Sequence, residues 1–202
     1  MPKISEEHRA ARRAQILDAA WRCFYRQGVQ ATTMEQIIAE SGLSASAMYR
    51  YFGGKDDIIV AAIDTSLRGL ARLLEPIVER DDADAPPGVA DLVGRITAAI
   101  DGFTNRPGYN LTRIALHGWS EAQRNERLRG LMRDFYAAFR DRLAARVPRW
   151  QAAGEVDPAA SPQDVAQLLM SVILGYVTQS AIVHDAEPAA HARGLAAIRM
   201  PR

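Results

Sequence analysis

Cysteine is almost absent from these 202 residues. The single one, Cys23, excludes a disulfide framework and any zinc site built from four cysteines. No run of eighteen apolar residues occurs, so the sequence predicts neither a membrane span nor a membrane partner. The first residues, MPKISEEHRAARR, are charged from the start and lack an apolar core, which argues against a secretory signal. Net charge is also small, at +1, and lysine occurs only at positions 3 and 55. There is no glycine-rich phosphate loop and no serine-centred elbow, so no catalytic residue, cofactor or metal is expected and the chain does not read as an enzyme. These absences leave a cytoplasmic globular protein, with 48% hydrophobic and 24% charged residues, large enough to build a core unaided.

Three features resemble sites and are read otherwise. Asp81-Asp82-Ala83-Asp84 has the look of a magnesium-binding acidic run, but Pro86-Pro87 follow it, so it is expected to be a solvated loop. His184, Glu187 and His191 have metal-ligand spacing that Pro188 breaks. Cys23 has no histidine–acid relay near it in sequence and is expected to be a packing residue.

Helical periodicity, by contrast, runs almost throughout, and the fold expected is all-α. Ile16, Ala20 and Phe24 form one stripe, with Leu17 and Trp21 beside them, ended by Gly28. Thr32 with Glu35 and Thr33 with Gln36 offer two overlapping capping boxes for a short helix that stops at Gly42. Ser44 opens a third helix through Tyr51, with Met48 and Phe52 inward. Long helices follow. Their faces are Ile59, Ile63, Leu67, Leu70, Leu74 and Ile77; then Val89, Val93, Ile96, Ile100 and Phe103; then Leu128, Met132, Phe135, Phe139, Leu143 and Val147. Pro76 and Pro148 are expected to bend or end their helices, and Ser120 with Gln123 to open one. Ser161-Pro162 reads as a cap followed by a first-turn proline. The helix after it, through His184, is apolar on more than one face, which asks for cover on both sides.

Residues 1–55 carry eight basic side chains against five acidic ones, whereas the remaining 147 carry 17 against 19. A basic first quarter on a near-neutral body fits a polyanionic partner at that end. Within it, Thr33–Ser41 and Ser44–Tyr51 are two short helices joined by Gly42-Leu43, the layout of a helix-turn-helix. Ser44, Ala45, Ser46 and Ala47 are small, letting the second helix approach bases closely, and Thr33, Tyr49, Arg50, Tyr51 and Lys55 can donate to phosphates.

The stretch Ile16–Ile59 resembles the DNA-binding domain of the TetR family of transcriptional regulators. Four signatures carry the likeness: Ile16-Leu17-x-Ala19-Ala20 with Phe24 and Gly28; Thr32-Thr33-Met34 with Ile37; Ser41-Gly42-Leu43-Ser44; and Met48-Tyr49-Arg50-Tyr51-Phe52-Gly53-Gly54-Lys55. Ile38 and Ser46 depart from the commoner residues at those positions. The resemblance implies a homodimer, most simply a repressor, that binds a palindromic operator on double-stranded DNA and leaves it when a small-molecule effector binds. By position, Thr33, Tyr49, Tyr51 and Lys55 match phosphate contacts, while Ala45, Ser46, Ala47 and Arg50 lie at or near base readers. Residues 1–55 form the three-helix DNA-binding domain. Residues 56–202 form a larger helical bundle for ligand binding and dimerisation. A largely apolar effector pocket is sought among Leu67, Leu70, Phe103, Leu116, His117, Trp119, Met132, Phe135, Tyr136 and Met170, and the dimer contact at Val172, Ile173, Tyr176 and Val177 with the last helix. The rival reading is an all-α small-molecule binder or enzyme with no DNA role.

Overall fold

The computed structural model describes residues 6–79 and 87–198; Lys3 and the acidic run 81–84 lie outside them. Nine helices and one minimal hairpin are formed among the described residues: α1 (Glu6–Gln27), α2 (Met34–Ser41), α3 (Ala45–Tyr49), α4 (Lys55–Glu79), α5 (Val89–Thr104), β1 (Asn105–Arg106), β2 (Tyr109–Asn110), α6 (Leu111–Ala122), α7 (Glu126–Ala152), α8 (Pro162–Ile182) and α9 (Pro188–Ala197). The all-α architecture is as the periodicity implies. By internal contact the chain divides into two units, Met1–Ser66 with Arg106–Arg129, and Leu67–Asn105 with Gly130–Arg202.

In the first unit, Ile16, Ala20 and Phe24 of α1 are buried, with Leu17 and Trp21 alongside. Trp21 and Phe24 meet edge to face at 5.9 Å. Ile37 of α2, Met48 of α3, Phe52, and Ile58, Ile59, Ala62 and Ile63 of α4 are buried in the same unit. Cys23 is buried as well, its thiol 3.7 Å from the Gln36 carbonyl, and burial pushes its pKa up. α6 joins this unit and packs on α1, where Tyr109 Oη donates to Asp18 at 3.1 Å and Arg113 sits 4.8 Å over the Tyr25 ring.

The second unit is built around Leu74, Val78, Leu92, Val93, Ile96, Ile100, Phe139, Leu143, Val147, Trp150, Ala166, Leu169, Met170, Ile173 and Tyr176. α9 lies against α5, where Gly94 leaves room for Ala192: a Cβ at 94 would come within 2.9 Å of its methyl carbon. The N-terminus of α5 has no cap from its own turn. Glu155, arriving from the loop after α7, accepts the Val89 N–H at 2.9 Å, and Trp150 Nε1 donates to the Pro87 carbonyl at 3.1 Å.

Several local expectations change. Pro76 and Pro148 lie inside α4 and α7, each one turn before the helix ends, so the lost backbone donor disturbs little of the ladder. Ser120 opens no helix: α6 runs through it, and Asn125 instead accepts the Leu128 N–H at 3.0 Å to start α7. Between β1 and β2, Pro107-Gly108 form the tip of the small hairpin, with Gly108 at φ 88°. α8 has the length and composition of a bilayer-crossing helix, yet its Ala166, Leu169, Met170, Ile173 and Tyr176 are buried within the chain.

Candidate nucleic-acid interface

The site is assembled by α2, α3 and the turns around them. Of the two overlapping capping boxes, the chain uses Thr33 with Gln36. Gln36 N–H donates to Thr33 Oγ1 at 3.3 Å, and Thr33 N–H to Gln36 Oε1 at 2.8 Å. Thr32 turns inward and donates to the Gly28 carbonyl at 2.7 Å, which leaves Thr33 as the exposed member of the pair. α2 ends at Gly42, whose φ of 67° turns the chain toward Ser44. Ser44 Oγ then accepts the Ala47 N–H at 3.2 Å and begins α3.

The burial of Met48 and Phe52 fixes which side of α3 faces out. Ser44, Ala45, Ser46, Tyr49 and Arg50 are exposed, while Ala47 and Tyr51 are half-buried. The Tyr49 ring stands free at 53% exposure, the one large hydrophobic side chain so exposed among the described residues of its unit. Lys55 opens α4 and is already engaged: its Nζ donates to the carbonyls of Gln30 at 2.9 Å and Val29 at 3.3 Å. One of its three hydrogens is left for a further acceptor. Lys55 therefore also holds the α1–α2 turn against the start of α4.

Two side chains of α1 hold this surface in place. Arg13 of α1 lies 4.4 Å over the Phe52 ring and donates to the Tyr51 carbonyl at 3.4 Å. Gln15 donates to the Ser41 carbonyl at 2.7 Å, just before the Gly42 turn. Each spans a separation of more than twenty residues, so no local spacing could announce it.

The charge on the unit is sorted by position. Arg22 and Arg26 of α1 are paired with Glu40 of α2, whose carboxyl the Arg26 hydrogen bond holds below its usual range. Arg22 also meets Asp18. That ion-paired cluster offsets its own charge. Arg9, Arg12, Arg13, Arg50 and Lys55 face no carboxylate among the ion pairs of the described residues and supply positive potential for a polyanion.

The effector candidates fall on both units. Leu67, Leu70, Phe103, Met132, Phe135, Tyr136 and Met170 belong to the second, and Leu116, His117 and Trp119 to the first. Met132 and Met170 are buried, and Phe135 stacks on Phe139 at 6.3 Å and meets Tyr136 edge to face at 5.3 Å. Phe103 rests over Gly69, where a Cβ would come within 3.1 Å of its ring. His117 is exposed and stands against Gly28 at the end of α1, because α6 packs there. Of the dimerisation candidates, Ile173 and Tyr176 are consumed by the chain's own core and have no surface to offer, while Val172 and Val177 are half-buried. His184, Glu187 and His191 gather into no metal-binding group among the described residues.

Comparison with known proteins bears on the same elements. Residues 16–62 match the model of bacterial regulatory proteins of the tetR family, and residues 105–199 match that of the BetI-type transcriptional repressor C-terminal region. The HTH-type transcriptional regulator BetI of Agrobacterium fabrum is 30% identical over 192 residues, covering 92% of this chain and 89% of its own. Two solved structures share the fold. A chain from Saccharomonospora viridis in complex with choline aligns at TM-score 0.71 and 21% identity, over 93% of this chain and 94% of its own. The regulator FadR of Bacillus subtilis, in complex with stearoyl-CoA, aligns at 0.67 and 18%, over 90% and 94%. With a matched reading head, a matched C-terminal region and a relative similar along nearly its whole length, the chain belongs to the TetR family of helix-turn-helix transcriptional regulators.

Proposed function

We propose that this regulator is a repressor that binds a palindromic operator as a homodimer and is released by a small, largely apolar effector. The observation that carries the reading is the outward face of α3. A helix capped by Ser44, cleared of bulk at Ala45, Ser46 and Ala47, and flanked by Thr33, Tyr49, Arg50, Tyr51 and Lys55 has the shape to enter a major groove and the donors to hold its phosphates. Residues 1–55 are assigned to DNA and residues 56–202 to the effector and the second copy.

Dimerisation is assigned to the outer side of α8, where Leu168 and Ile182 are 63% and 62% exposed and Val172 lies between them at helical spacing. Exposed leucine and isoleucine on one long helix favour a second copy of the same helix as cover. The effector site is placed among the seven candidates of the second unit. Their side chains are mostly aliphatic, aromatic or thioether, which favours an apolar ligand. The choline and stearoyl-CoA complexes of its structural neighbours support a small molecule as partner and show that the fold alone does not choose which. Release then requires that the ligand prefer the conformation unable to bind DNA.

Selection from random duplex DNA tests this directly. Wild type is run beside a Tyr49→Ala/Arg50→Ala variant, both positions being exposed so that folding is preserved. A two-fold symmetric site enriched by wild type and lost in the variant supports the reading. Indifference to DNA, with purified dimer at low salt and no co-purified ligand by mass spectrometry, would overturn it.

A further inference from the structure

The reading helix carries few of the long polar side chains that recognise base edges. Direct readout uses arginine or lysine for guanine, asparagine or glutamine for adenine, a carboxylate for cytosine, serine or threonine for several bases, and apolar contact with the thymine methyl group. α3 reads Ala-Ser-Ala-Met-Tyr and contains none of the first three classes. Its serine hydroxyls are partly engaged within the turn. Ser44 Oγ accepts the Ala47 N–H and lies 3.2 Å from Ser46 Oγ, so each serine already has a partner within the turn. Beside the exposed Ser46, the helix presents two apolar groups outward: the Ala45 methyl and, four residues on along the same face, the Tyr49 ring. Arg50, at the end of the helix, is the first charged side chain to follow.

We infer that α3 identifies its half-site through thymine methyl groups packed against Ala45 and Tyr49. The operator therefore carries thymine in a fixed strand and step opposite those two side chains. This rests on the proposal that α3 enters the major groove. It adds what is read there. A methyl-reading surface also accounts for an exposed aromatic ring in a unit that otherwise buries its large apolar side chains: Tyr49 is left uncovered because the duplex covers it.

The test removes the methyl group and leaves the hydrogen-bonding pattern intact. Full-length protein is titrated by fluorescence anisotropy, at fixed salt, against its selected operator and against copies with each thymine of one half-site replaced in turn by uracil. At least one replacement under α3 is expected to weaken binding about fourfold, the effect of one buried methyl group. The same replacement should be nearly silent for an Ala45→Gly or a Tyr49→Ser variant, according to which side chain it faces. An operator with no uracil-sensitive position overturns the inference while leaving the DNA-binding proposal standing. If no operator is selected at all, both fall together.

Discussion

At Gly42 the backbone holds φ 67°, and no atom lies within 4 Å of where a Cβ would stand. A side chain there meets open space, so the cost of substitution is conformational. Gly42→Ala should lower stability by about 1–2 kcal/mol, and Gly42→Asn by less, in urea unfolding of the two variants. Tyr176 shows the opposite case, a side chain defined by its surroundings. It is fully buried, its hydroxyl donates to Asp101 at 3.0 Å, its ring meets His191 edge to face at 5.2 Å, and burial pushes its pKa from 10.0 up to about 12. A group whose pKa is raised on folding contributes stability that is complete below its unfolded value and is lost as pH rises toward the folded one. Wild type should therefore lose stability more steeply between pH 10 and 12 than Tyr176→Phe, as read by denaturant midpoints across that range. Equal slopes would show that the phenol does not titrate with unfolding.

Among the elements, α5 depends on a residue far away in sequence. Its first turn is capped by Glu155, 66 positions on, whose carboxylate stands within 2.7 Å of where a Gly88 Cβ would be. Glu155→Ala should cost about 1 kcal/mol, the usual value of a lost helix cap, and Gly88→Ala should interfere with the same contact. If the two effects are independent, the double variant will be additive; shared dependence on one hydrogen bond predicts less than the sum. α4 begins with a comparable long-range tie through Lys55. Lys55→Ala is expected to reduce the salt slope of operator binding by about 1.8, the share of two phosphate contacts, one from each copy of the dimer. It should also lower the melting temperature, since the Val29 and Gln30 carbonyls lose their donor. An unchanged slope with a lowered melting point would assign Lys55 to structure alone.

For the molecule as a whole, the proposed function makes assembly decisive, because on that proposal one α3 reads only half of a symmetric site. Leu168→Glu places a charge on the exposed side of α8, away from the buried Leu169, Met170 and Ile173. Sedimentation velocity should find monomer with undiminished helical circular dichroism, and operator affinity should fall by a factor of at least about 100, since the two half-sites no longer share one binding event. Dimer retained at micromolar concentration would move the interface elsewhere.

Much of this was legible in the residues themselves. Helix periodicity, the glycines at 28 and 42, the caps at Thr33, Ser44 and Ser161, and the burial of Met48 and Phe52 are local. They follow from backbone preference and from apolar spacing over one or two turns, which any sequence displays directly. The helix-turn-helix and its outward residues came with them. What needed the tertiary structure was every choice among equally good local options and every contact across long separations. Thr33 was chosen over Thr32 because the Gly28 carbonyl draws the Thr32 hydroxyl inward. Asn125 displaced Ser120 because α6 kept its helical register through that serine. Ile173 and Tyr176 went to the core and Leu168 to the surface, although all three share one apolar helix, because α5 and α9 cover only one of its sides. Arg13, Gln15 and Glu155 acquired their roles from neighbours that only the folded chain brings close. Sequence alone sets what each segment prefers; packing decides which of its faces is used, because burial is a property of the partner as much as of the residue.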